Sequence, residues 1–90
     1  MAVLEIMQDY LRLSSLYALY TLSFHTMDAP RIENKFDEII KKYFKLAEKD
    51  DSAYQLVQRL CTKFNKMPGL QAKLVRLEKT QENIEKNLNT

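Results

Sequence analysis

The sequence predicts an all-α fold, a small antiparallel bundle of about four helices with a long N-terminal helix. Three observations predict it. The 90 residues include only one glycine and two prolines, which leaves little material for turns. No Asn-Gly or Gly-Asn hairpin signal is present, so a sheet of short strands has no turns to build on. Apolar residues instead recur in steps of three and four along most of the chain, the spacing that places them on one side of a helix. A chain of this length makes one domain, residues 1–90, and buries roughly two-thirds of its unfolded surface. Such a core is adequate but not generous, and docking onto a partner would add stability.

The first helix is expected over about residues 2–26. Val3, Ile6, Tyr10, Leu13, Tyr17, Tyr20, Phe24 and Met27 form a heptad-like seam. A second set, Leu4, Met7, Leu11, Ala18 and Leu22, lies on an adjacent face, and Leu16 and Leu19 widen the apolar coverage. A helix so apolar around its circumference is expected to be buried on several sides. Asp28-Ala29-Pro30 breaks the pattern. Asp28 can cap the second helix, and Pro30 falls in its first turn, where a missing N–H costs nothing. That helix, about residues 30–49, is one-sided, with Ile32, Phe36, Ile39, Ile40, Tyr43, Phe44 and Ala47 as its stripe.

Asp50-Asp51-Ser52 interrupts the chain again. Ser52 with Gln55 three residues later matches a capping box, which starts a third helix over residues 52–66. Its core face is Ala53, Leu56, Val57, Leu60, Cys61 and Phe64, and Met67-Pro68-Gly69 ends it because proline cannot continue the hydrogen-bond ladder. The fourth helix, about residues 70–88, has a narrow seam of Leu70, Leu74, Leu77, Gln81, Ile84 and Leu88 with a polar residue at one core position. The lengths match poorly. At ~1.5 Å per residue the first helix spans about 37 Å and the third about 22 Å, so part of the first is left without cover.

The residues that carry chemistry are few. His25 is the only histidine and Cys61 the only cysteine, which falls short of the three or four N and S ligands a zinc site uses. Glu48, Asp50 and Asp51 cluster at a helix start, where acids complement the helix dipole, and they lack the spacing and glycine of a calcium loop. One glycine cannot make a phosphate-binding loop. The reading is of a non-enzyme with no metal and no cofactor. A single cysteine makes no internal disulfide, which points to a reducing, cytoplasmic setting. Glu5 and Asp9 stand where a signal peptide carries positive charge. The longest run free of charged residues, Leu13 to Met27, is shorter than the ~20 residues of a spanning helix, so no membrane span is expected.

Charge is uneven although the net is only +2. Ala53 to Lys79 carries six bases and one acid, whereas the first 52 residues carry seven bases and nine acids. Arg59, Lys63 and Lys66 share a polar face by their spacing, and Lys73 and Arg76 extend it onto the fourth helix as a basic ridge. Such a ridge suits phosphates or an acidic partner. For nucleic acid the supporting features are thin. The pI is 8.7, no basic arm is present, and no aromatics interleave with the bases for stacking.

The reading that ranks first is therefore a helical protein-interaction module: an adaptor, small chaperone or subunit. It binds a partner helix or a second copy through an apolar and aromatic seam. Tyrosine brings large contact area at low entropic cost, so the expected contact residues are Tyr10, Tyr17, Tyr20 and Phe24, with Leu77, Ile84 and Leu88 from the fourth helix. A nucleic-acid-binding or regulatory protein using the basic ridge ranks second. A small helical immunity or inhibitor protein is a special case of the first. Periodicity and capping of this generic kind single out no family.

Overall fold

The computed structural model describes residues 2–23 and 26–88, with 23, 87 and 88 described by their backbone alone. Four helices build an all-α fold of the small-bundle class: α1 (Val3–Ser23), α2 (Ala29–Ala47), α3 (Asp51–Lys63) and α4 (Leu70–Leu88). No strand occurs among the described residues. The chain divides into two compact units, Met1–Lys41 and Lys42–Thr90, with the division falling inside α2.

The helix ends differ from expectation in instructive ways. α1 is described as far as Ser23, and Thr26, at the expected end of the helix, belongs to the turn that leads into α2. In that turn the Thr26 hydroxyl accepts from the Asp28 N–H at 3.3 Å and the Thr26 carbonyl accepts from Ala29. The Asp28 carbonyl then accepts the Ile32 N–H at 3.0 Å, starting the α2 ladder, and Pro30 sits in the first turn as expected. α2 ends at Ala47, two residues early, and Lys49 and Asp50 donate back to the Leu46 carbonyl.

The cap of α3 is a correction. Asp50, not Ser52, occupies the capping position: its backbone is extended and its carboxylate accepts from the N–H groups of Ser52 at 2.9 Å and Ala53 at 3.4 Å. The short Asp50 carboxylate reaches two of the free donors of the first turn and adds a favourable charge at the positive end of the helix. Gln55 bonds to the side chain of Asp51 at 3.2 Å instead of closing a box onto Ser52. α3 ends at Lys63, so Lys66 lies in the connection. Phe64 caps it, donating its N–H to Leu60, and Gly69 takes φ +78. That left-handed conformation is the reason a glycine stands there, since nothing lies close enough to exclude a side chain on packing grounds.

In the unit Met1–Lys41 the most buried apolar residues are Leu13, Phe36 and Ile40. Asp9 is the one buried charged residue among those described. In the unit Lys42–Thr90, α3 packs on α4, and Tyr43, Ala47, Val57, Leu60, Cys61, Phe64, Met67, Leu70 and Leu77 are buried. Each large side chain removed from water in this way contributes about 1.5–3 kcal/mol. Two glutamines of α4 reach out of this packing. Gln71 donates to the Cys61 carbonyl at 3.1 Å and Gln81 to the Ala47 carbonyl at 3.0 Å. Both acceptors lie in the last turn of a helix, where carbonyls lack partners within the helix.

Candidate interaction face on the first helix

α1 carries two apolar faces, and they have different fates. The seam expected to bind a partner holds the fully buried Leu13, with Ile6, Tyr10, Tyr17 and Tyr20 half-buried along it. Tyr20 is engaged within its own unit: its hydroxyl donates to the Glu33 carboxylate on α2, and burial, then the Glu33 charge and that hydrogen bond, push its pKa above 10.0. Phe24 lies outside the described residues, as does the side chain of Leu88.

The second set is the one that faces solvent. Leu4, Met7, Leu11 and Leu22 keep 66, 57, 63 and 83 % of their surface exposed, and Ala18 and Ser15 between them are exposed too. Steps of three, four, four, three and four bring these six side chains into one stripe along the helix. From Leu4 to Leu22 it runs for about 27 Å at ~1.5 Å per residue. No charged residue interrupts its centre line. The expectation that α1 is buried on several sides is thereby corrected. Of Leu16 and Leu19, which widened the apolar coverage, Leu19 is exposed and Leu16 half-buried, and the fully covered apolar position of α1 is Leu13 on the other side.

Beside the stripe, α1 and α2 form a groove of about 540 Å³. Its walls are Leu11, Arg12, Ser15 and Leu16 from α1 and Lys35, Glu38 and Ile39 from α2. Leu11, Leu16 and Ile39 give it aliphatic surface, and Arg12, Lys35 and Glu38 bring two bases and one acid.

The residues expected on α4 are split. Leu77 is buried, whereas Ile84 is 39 % exposed. The basic ridge divides as well. Arg59 and Lys63 on α3 and Arg76 on α4 are exposed, Lys66 is exposed in the connection, and Lys73 is half-buried. Burial, together with the nearby charge of Arg76, lowers the pKa of Lys73, so these two cations share one locality. Arg59 also lines a shallow polar cleft of about 470 Å³ with Gln55, Gln58 and Thr62.

Cys61 is a free thiol, 1 % exposed, and burial followed by the charge of Glu78 raises its pKa from 9.0 to about 11. A thiol held protonated in this way is a packing residue rather than a nucleophile. His25 lies outside the described residues. Among those described, no three His, Cys, Asp or Glu side chains converge as metal ligands do, and no helix is long and apolar enough to cross a membrane.

No protein-family model, curated protein or solved structure matches this chain. The exposed stripe was present in the sequence as the second apolar set of α1. Its heptad-like spacing was as clear as that of the seam, and the missing signal was which of the two faces the chain itself covers.

Proposed function

We propose that this chain is a non-enzymatic helical interaction module, an adaptor, small chaperone or subunit, whose contact face is the Leu4–Met7–Leu11–Ala18–Leu22 stripe of α1. The observation that carries the reading is the exposure of this uncharged stripe along α1, the longest of the described helices. Contiguous apolar patches of more than a few hundred Å² are uncommon on proteins that have no partner. The reading moves the contact from the tyrosine seam to the adjacent face, since Tyr20 is committed to Glu33. The free, buried Cys61 suits a reducing compartment, and we place the protein in the cytoplasm.

Site-specific photo-crosslinking in cells tests the reading. A photo-reactive residue at Leu11 or Leu22 is expected to form discrete protein adducts, and the same residue at Gln58, exposed on α3, is expected to form few. Equal labelling at all three positions contradicts it.

A second reading rests on Lys73 and Arg76. Arg59 and Lys63 on α3, Lys66 in the connection and Arg76 on α4 are exposed bases, and burial followed by the charge of Arg76 lowers the pKa of Lys73 among them, a locality that suits a polyanion. If nucleic acid is the ligand, affinity falls steeply with added salt, and Arg59→Glu with Arg76→Glu weakens it. Affinity indifferent to salt excludes this reading.

A further inference from the structure

We infer that the occupant of the α1 stripe is a second copy of this chain, docked stripe to stripe about a two-fold axis. The inference rests on the reading of α1 as an interaction face and names its partner. Three observations support self-docking.

The first is periodicity. A stripe spaced by threes and fours is complementary to another helix of the same spacing, and the simplest such helix is its own copy. Small Ser15 and Ala18 follow one another between Leu11 and Leu22, which gives each copy a gap that the larger Leu4, Met7 and Leu11 of the other can fill.

The second is area. Leu4, Met7, Leu11 and Leu22 together leave roughly 500 Å² of surface open, over half of the ~800 Å² each partner contributes to a standard interface. The polar flanks Gln8 and Arg12, both exposed, add to it. A stripe-to-stripe dimer is thereby brought toward the ~600 Å² per partner at the low end of stable interfaces.

The third is charge. The exposed ionic residues around the stripe and its groove are two acids, Glu5 and Glu38, and two bases, Arg12 and Lys35. A two-fold axis presents a patch to itself, so only a patch of balanced sign escapes self-repulsion.

The test is molar mass by light scattering across a concentration series for the wild-type chain, Leu11→Glu, Leu4→Glu and, as a control, Arg59→Glu. Circular dichroism reports whether each remains helical. Both leucines are more than half exposed, so a charge at either is compatible with folding. The expected result is a wild-type mass rising from 10.7 kDa to twice that value, both stripe variants held at 10.7 kDa, and Arg59→Glu following the wild type. A wild-type chain that stays at 10.7 kDa throughout overturns self-docking and leaves the interaction face to the crosslinking test. A dimer that survives both stripe substitutions forms through another surface and overturns self-docking through α1, and the crosslinking test then decides separately whether α1 is a contact face.

Discussion

The side-chain amide of Gln81 donates to the carbonyl of Ala47 at 3.0 Å, tying the middle of α4 to the last residue of α2 across 34 positions of sequence. Gln81 interrupts an otherwise apolar seam, and this bond accounts for the interruption. Ala47 is fully buried, so its carbonyl, one of the last four of its helix, is cut off from water. Replacing Gln81 with Ala removes the donor and is expected to lower stability by about 1 kcal/mol, read as the urea midpoint. Gln81→Glu costs more, because it sets a carboxylate against a carbonyl, and part of the loss returns in acid as the carboxyl gains a proton to donate. Gln55→Ala, an exposed bond to Asp51, is the control and leaves the midpoint nearly unchanged.

The two candidate caps of α3 separate by substitution. Asp50→Ala deprives the Ser52 and Ala53 N–H groups of their acceptor, an expected loss of about 1 kcal/mol. Asp50→Asn keeps most of it, since the amide oxygen still accepts. Ser52→Ala, now known to lie inside the first turn, stays within about 0.5 kcal/mol of the wild type. A loss at Ser52 larger than that at Asp50 reverses the assignment.

The Ser14 hydroxyl of α1 is buried and has no hydrogen-bond partner among the described residues. A buried hydroxyl with its donor unused costs more than the methyl group that replaces it, and alanine is the better helix former. Ser14→Ala is therefore expected to raise stability by about 1 kcal/mol. Thermal unfolding of the two proteins side by side checks it, and a lower midpoint in the variant means the hydroxyl has a use in the folded chain.

Stability at alkaline pH carries the signature of Cys61. The thiol ionises near 9.0 when free of the fold and near 11 within it, so the unfolded chain releases this proton first as pH rises. Stability from this group is complete below 9.0 and is lost progressively toward 11. Tyrosines titrate nearby, and burial with the charges of Glu78, Glu85, Asp51 and Glu82 also raises Tyr54, so the comparison must be with Cys61→Ala. The wild-type midpoint is expected to fall more steeply across that interval than the midpoint of the variant. Equal slopes contradict the burial of the thiol. Thiol reagents should likewise react with the unfolded chain and hardly with the folded one.

Much of this architecture was legible in the sequence. The four helices followed from spacing by threes and fours, and α4 begins where expected because Gly69 marks its start. The buried faces of α2 and α3 were readable for the same reason, each helix having a single apolar side. α1 was harder. Two apolar faces of equal periodicity share it, and period alone does not rank Tyr17 against Leu11. The difference lies in tertiary partners such as Glu33, which bonds to Tyr20 but stands 13 positions away. The cap of α3 was ambiguous because Asp50, Asp51 and Ser52 are all capable residues in a row, and only backbone dihedrals choose among them. Gln81 stood out as an exception in its seam, but the carbonyl it serves belongs to another helix.

The central claim is that the α1 stripe stabilises the protein by association and not through the chain's own core. Thermal unfolding of the wild type and Leu11→Gln, each over a wide range of protein concentration, tests it most directly. Binding a partner only when folded makes the midpoint depend on concentration. The wild-type midpoint is predicted to climb with concentration, that of Leu11→Gln to stay level, and the two to converge at high dilution. A variant midpoint lower by the same amount at every concentration would place Leu11 in the core of a single chain and contradict the claim.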